Sequence, residues 1–354
     1  KESFGGGRIS AKRHGDSRRM ITRIAGRERG WLKRAKEYIL SEEVVAFHTE
    51  TVYGLGANAF SDQAVQKIFA LKGRPADNPL IAHVHKDYDI SVLVDSTPSY
   101  AEGLRRAFLP GPLTMVFPSK GKVSRFVSCG LDTLAIRVPS SPTAQAFLKE
   151  VDLPIAAPSA NRSKHVSPVT ARHVYDDFAG EIPLILDGGA CDGGIESTVL
   201  DCTGEIPQIL RAGLVTRDMI AGVVGACGVY ERKGGEKPKS PGMAYKHYAP
   251  ACKTAYFKAE ELSAAKTLYC EEEAAGGTPY FLAESAVCAR LALFRTFDLG
   301  GTGEQMAQKL YALLRKAEHA ATLLIGIEPT VQDGVMDGVL NRFTRAFGRT
   351  VDET

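Results

Sequence analysis

Short apolar runs that read as strands alternate with amphipathic runs that read as helices over most of this chain. "VVAFHTE", "PLIAHV", "LTMVFPS", "TLAIRVP", "PIAAPSA", "PLILDGG", "STVLD" and "PQILRAG" are strand-like. Between several of them lie "SDQAVQKIFALK", "SYAEGLRRAFL", "SPTAQAFLKEV" and "TARHVYDDFA". That interleaving predicts an α/β domain on an open, twisted, mixed sheet. Its first helix is "WLKRAKEYIL", so the domain is expected to run from 31 to 228, after a basic, disordered segment at 1–30. "ERKGGEKPKSPG" has linker chemistry, which sets a connecting segment at 229–250. From 251 to 354 a second alternation follows: "TAYFKA", "AEELSAAKTL", "TPYFLA", "ARLALFRTF", the helix "EQMAQKLYALLRKAEHA" and the strand "TLLIGIE". It predicts a smaller three-layer domain.

Composition narrows the functional classes. The net charge of +3 on 354 residues is too small by itself to argue for nucleic acid or membrane. No apolar run approaches the roughly 20 residues of a membrane span. The seven cysteines show no CxxC and no pairing rhythm, which suits reduced thiols and a cytoplasmic protein. The basic, glycine-rich opening does not read as a secretory signal. An expression scar or upstream read-through ending before Met20 is the plainer expectation for that opening, and a basic arm touching RNA the sharper alternative.

"TVYGLGANA" fits the G-x-G-x-x-A dinucleotide pattern after a strand, but the next helix starts only at Ser61 and "PLIAHV" ends without an acid for a ribose. The dinucleotide reading therefore fails. "LKGRPADNPLIAH" is more informative. Lys72 and Arg74 flank Gly73, while Pro75 and Pro79 stiffen the corner before a strand. Fixed cations at a strand end suit a polyanion, the lysine as a point charge and the arginine as a fork. "APSANRSKHVSP" trails a strand with Ser159, Asn161, Ser163 and Ser167; taken alone, helix capping explains it. "GGIEST" brings Ser197 to a strand start, and "ILRAG" puts Arg211 at a strand end.

In this order, "TETVYGLGANA", "KGRPADNPLIAHV", "LPGPLT", "LAIRVP", "APSANRSKHVSPVT", "GGIESTVLD" and "ILRAG" resemble the YrdC-like domain. "SPGMAYKHYAP" and the hundred or so residues after it resemble the longer Sua5 form. The resemblance implies a YrdC-like catalytic domain followed by a Rossmann-like Sua5 domain. It implies a threonylcarbamoyl-AMP synthase (a nucleotidyltransferase) using L-threonine, bicarbonate and ATP, with Mg²⁺ carried by the nucleotide and no protein metal site. Transferase proteins would then move the group to the adenosine at tRNA position 37. By the same resemblance, Lys72, Arg74, Ser159 and Asn161 form the catalytic set. Arg74, Asn78, Thr133, Ser159, Ser167 and Arg211 would contact ATP, and Thr51, His83, Arg137 and Ser197 would hold threonine; Tyr245 and His247 are expected at the nucleotide if the linker closes as a lid. The "SPGMAYKHYAP" segment is expected to fold over the cleft as a lid, with the second domain positioning it.

This chain departs from the family pattern at His48, usually proline, at Lys164, commonly glycine, and at Ala212, commonly proline. Ser141 stands where a histidine often follows "RVP". His48 reads either as a titrating neighbour of the site or as a satisfied structural histidine. Two other classes fit parts of the chain. A double-stranded RNA-binding module without ATP turnover would use the basic surface and bind weakly and salt-dependently. A carbamoyl-transfer enzyme of hydrogenase maturation shares the core but would carry acylphosphatase and zinc motifs that this sequence lacks.

Overall fold

The computed structural model describes residues 20–75, 77–231 and 248–348. Tyr245, His247 and most of the expected lid lie outside them, as do residues 1–19. Eleven strands of the described chain form one mixed sheet: β1 (Arg23–Ala25), β2 (Val45–Phe47), β3 (Gly54–Asn58), β4 (Ile81–His83), β5 (Leu113–Pro118), β6 (Thr133–Arg137), β7 (Ile155–Ala157), β8 (Leu184–Leu186), β9 (Thr198–Asp201), β10 (Gln208–Arg211) and β11 (Gly228–Val229). Their order is β1-β8-β2-β3-β7-β4-β6-β5-β9-β10-β11. Seven helices accompany them: α1 (Arg29–Leu40), α2 (Asp62–Lys72), α3 (Ala101–Phe108), α4 (Arg125–Ser128), α5 (Pro142–Val151), α6 (Ala171–Phe178) and α7 (Arg217–Val224).

The expected start at Trp31 is too late. Arg23–Ala25 pairs in parallel with Leu184–Leu186, so the folded chain already includes residues 20–30. This strand has only three residues and a half-exposed pattern, too little for periodicity to reveal. The glycine-rich stretch also differs from its dinucleotide pattern: Gly54 and Gly56 lie inside β3, antiparallel to β2. A Cβ on Gly56 would stand 2.7 Å from Ile155 Cγ2, so these glycines let Phe47 and Ile155 close over the strand.

Local chemistry sets the element that carries the cations. Ser61 caps α2 by accepting from the Ala64 N–H. The helix stops where Gly73 turns left-handed at φ 61°, and Pro75 prevents a restart. Lys72 is thus the last helical residue rather than part of the loop.

The second domain is a four-stranded parallel sheet, ordered β12 (Lys253–Phe257), β15 (Leu323–Ile327), β13 (Pro279–Ala283) and β14 (Thr296–Asp298). Helices α8 (Leu262–Ala274) and α9 (Ser285–Arg290) pack on one face through Tyr269, Phe281 and Leu291. "ARLALFRTF" accordingly divides between the end of α9 and β14. Helices α10 (Gly303–Ala320) and α11 (Met336–Ala346) cover the other face. The reading of the sequence had no counterpart for α11.

The same two helices also pack on the first domain. Met306, Leu310, Tyr311, Val339 and Phe343 share one continuous core with Ile195, Leu200 and Val215. The second domain is therefore a packed wall of the first and not only the holder of a lid. Among the described residues no helix is long and apolar enough to cross a membrane.

Candidate active site

Chain reversals around the middle of the large sheet gather charged and hydroxylated residues into one cleft. Its empty volume is about 750 Å³, open solvent at the mouth included. Lys72, Arg74, His83, Arg137, Ser159, Asn161, Ser167, Ser197 and Arg211 line it, all singled out in the sequence. Thr51, Asn78 and Thr133 do not line the wall. Thr51 is fully buried with its hydroxyl on Thr49 Oγ1 at 3.0 Å, and Thr49 takes the place in the wall. Thr133 begins β6 opposite Pro118, at the end of the strand away from Arg137.

Lys72 is the centre of one corner. Buried at 4% exposure, its Nζ donates to Ser159 O at 2.6 Å and to Asn161 O. Its own carbonyl accepts from the Ser163 N–H. Burial, reinforced by nearby Arg74, pushes the Lys72 amine well below its ordinary range. Arg74 bends back to donate to Asn78 O at 3.2 Å and Pro79 O at 3.1 Å, and burial lowers it to about 10. Neither cation forms an ion pair among the described residues. Both polar atoms of the buried Asn78 side chain, whose carbonyl Arg74 holds, lack a hydrogen-bond partner.

Ser159 and Asn161 hold the loop beyond β7. Ser159 Oγ donates to Asn161 Oδ1 at 2.6 Å, and Asn161 Nδ2 donates to Arg162 O and His165 O, both at 2.8 Å. Lys164, one departure from the family pattern, takes φ 73° here and lines the cleft. A lysine is strained by about 1 kcal/mol in that region, where glycine is not.

The opposite corner belongs to Arg137. Its Nη2 donates to Glu50 Oε1 at 2.8 Å, and both side chains are largely buried. The Ser140 and Ser141 N–H groups also point at Glu50, at 3.0 and 3.4 Å. Burial pushes the Glu50 carboxyl up, but Arg137 outweighs it and holds it below the usual range. Arg137 Nε remains buried without a partner. His83 lies beside it. Its Nδ1 is 3.1 Å from Ile81 O, a group that only accepts, so Nδ1 carries the proton and Nε2 is left as acceptor. Burial, then Arg137, lowers His83 to about 3, so the ring is neutral at any physiological pH.

Sequence reasoning missed Glu50, Thr49 and Glu196. Glu50 could have been suspected, since a buried arginine at a strand end needs a counter-charge. His48 is a satisfied structural histidine. Its Nδ1 lies 2.7 Å from Ser141 Oγ and its Nε2 3.4 Å from Ala190 O, so two of the departures from the family pattern touch each other.

Lys72, Arg74, Arg137, Lys164 and Arg211 make the wall strongly positive, and Glu196 is its one carboxylate among the described residues. A mixed α/β sheet holding such a cleft, backed by a second α/β domain, defines a two-domain protein built to take an anionic ligand. Residues 37–213 match the Sua5–YciO–YrdC model, described as "Telomere recombination". Residues 215–348 match the model described as "Threonylcarbamoyl-AMP synthase, C-terminal domain". The chain belongs to the Sua5–YciO–YrdC family, in its two-domain form. It is 37% identical to the threonylcarbamoyl-AMP synthase of Pyrococcus abyssi over 93% of this chain and 98% of that one. It is 49% identical to that of Bacillus subtilis, over 62% of this chain and 64% of the other. The crystal structure of P. abyssi Sua5 complexed with L-threonine matches 93% of this chain and 97% of its own with a TM-score of 0.83 at 35% identity.

Proposed function

We propose that the cleft makes threonylcarbamoyl-AMP and pyrophosphate from ATP, L-threonine and bicarbonate. The observation that carries this reading is the pair Lys72, buried, and Arg74, half-buried, two cations of the cleft wall that form no ion pair among the described residues. Buried charge persists where something compensates it, and a triphosphate would do so. The relatives' names and the threonine in the P. abyssi structure support the same reading.

Threonine's amine adds to bicarbonate with loss of water to give a carbamate. A carbamate oxygen then bonds to the α-phosphorus of ATP as the bond to the pyrophosphate oxygen breaks. Positioning and charge neutralisation are the protein's share of that chemistry. In this reading Lys72 and Arg74 draw charge off the departing pyrophosphate, and Ser159 and Asn161 fix the loop beside it. Arg211, which lines the cleft, serves the nucleotide. Arg137 meets the threonine carboxylate, its orientation set by Glu50, while neutral His83 offers an acceptor to the amine or hydroxyl. Mg²⁺ enters as part of the nucleotide substrate, since Glu196 is already engaged and the wall offers no other carboxylate among the described residues. Because the product is a mixed anhydride, a separate transferase would consume it for tRNA modification. An RNA-binding role without turnover is not favoured, because these cations converge inside a cleft.

Arg137→Ala is expected to raise the KM for threonine by about tenfold or more, the scale of a lost charge-assisted fork, with the KM for ATP little changed. Equal rises for both would place Arg137 in general support of the fold. The reading itself is tested by following pyrophosphate release. Release should require threonine and bicarbonate together; equal release with ATP alone would overturn it.

A further inference from the structure

We propose that the second domain is part of the nucleotide pocket, through Glu196 as a positioning residue held from behind by Tyr311 and Arg342. This rests on the assignment of the cleft to ATP. Glu196 lines the cleft at 7% exposure, immediately before Ser197. One carboxylate oxygen accepts from Ser167 Oγ at 2.7 Å. The other accepts from Tyr311 OH at 2.8 Å and from Arg342 Nε at 3.1 Å, both on the second domain's helices.

Each partner is fixed in turn. Arg342 is wholly buried and donates from Nη1 to Ala212 O, next to Arg211, and to Gly338 O. The Tyr311 ring stacks on Tyr248, itself in the cleft wall, with centroids 5.3 Å apart. Backbones approach closely at the same place. A Cβ on Gly194 would fall 2.2 Å from Ala307 O, and one on Gly338 would fall 3.1 Å from Gly213 Cα. The motif residues around 194–197 and 211–213 thus press against α10 and α11.

An apolar contact would tie two domains together without desolvating charge. What a carboxylate adds is an acceptor with a fixed direction. Ser167 gives its one hydroxyl proton to Glu196, so toward a ligand it can act only as acceptor. It therefore suits a hydroxyl or amine of the nucleoside and not a phosphate oxygen. Glu196 also places negative charge beside Arg211, while Tyr311 and Arg342 keep that charge from rotating into the cleft.

Calorimetric titration of the full chain tests this. Tyr311→Phe keeps the ring and deletes one donor, and should weaken ATP about five- to tenfold while threonine changes less than about twofold. Ser167→Ala should weaken ATP to a similar degree. If Glu196 acts through Ser167, the double variant should be little worse than the worse single one. Unchanged ATP affinity in Tyr311→Phe would overturn the proposal. So would equal losses of ATP and threonine, or losses that multiply in the double variant. Wild-type protein that fails to bind ATP would instead overturn the underlying assignment of the cleft, and this inference with it.

Discussion

Replacing Lys72 or Arg74 by alanine is expected to lower kcat about a hundredfold or more, the scale of one lost transition-state charge contact. In the proposed reading each cation meets the charge that collects on departing pyrophosphate, and neither is neutralised by an ion pair among the described residues. Lys72 also donates to two loop carbonyls, so its loss should cost stability too, about 1–3 kcal/mol for the acceptors left unmade. Arg74→Ala is the cleaner test, because its carbonyl partners are the nearby Asn78 and Pro79. Circular dichroism should show both variants folded. A variant retaining more than about half of the wild-type rate would remove that residue from the transition state.

Removing the second domain by ending the chain near residue 230 should have an effect as large, on folding itself. A second domain that only positions a lid would leave the first domain folded and able to bind ATP without it. The packing argues otherwise. Truncation strips Tyr311 and Arg342 from Glu196, leaving a buried carboxylate with Ser167 alone as its direct hydrogen-bond partner. Breaking a buried pair in this way costs about 3–5 kcal/mol. It also takes Arg315 away from its buried partner Asp177, which stays in the first domain, and removes the apolar face of α10 and α11. Together these losses approach the roughly 5–15 kcal/mol of a typical domain. The truncated protein should aggregate or melt well below the full chain. A truncated form that melts as a monomer near the full-length temperature and binds ATP with full affinity would show the shared core to be dispensable.

The sheet and the cation corner were legible for definite reasons. β4, β6 and β7 are buried on both faces and read as unbroken apolar runs, which periodicity recognises. Gly73 and Pro75 mark the end of α2, and so the position of Lys72 and Arg74. What stayed hidden depends on distance in sequence. Glu50 and Arg137 meet across 87 residues, and Glu196 and Arg342 across 146. No local pattern records such pairs. Glu196 sits inside a quoted motif, yet its isoleucine, glycine and serine neighbours gave no hint that the acid turns inward. β1 was missed for another reason: it is short and held by pairing with β8, not by its own composition. Thr51, Asn78 and Thr133, carried over by resemblance, stand apart from the cleft wall among the described residues, which no local pattern in the sequence records.

The most direct measurement follows the carbon of bicarbonate. Protein incubated with ATP, L-threonine and isotopically labelled bicarbonate should yield, by mass spectrometry, a threonylcarbamoyl-AMP that carries the label and is formed in step with pyrophosphate. Omitting threonine should abolish both. Pyrophosphate release with no labelled adenylate, or AMP accumulating equally without threonine, would contradict the assignment of this cleft to threonylcarbamoyl-AMP synthesis.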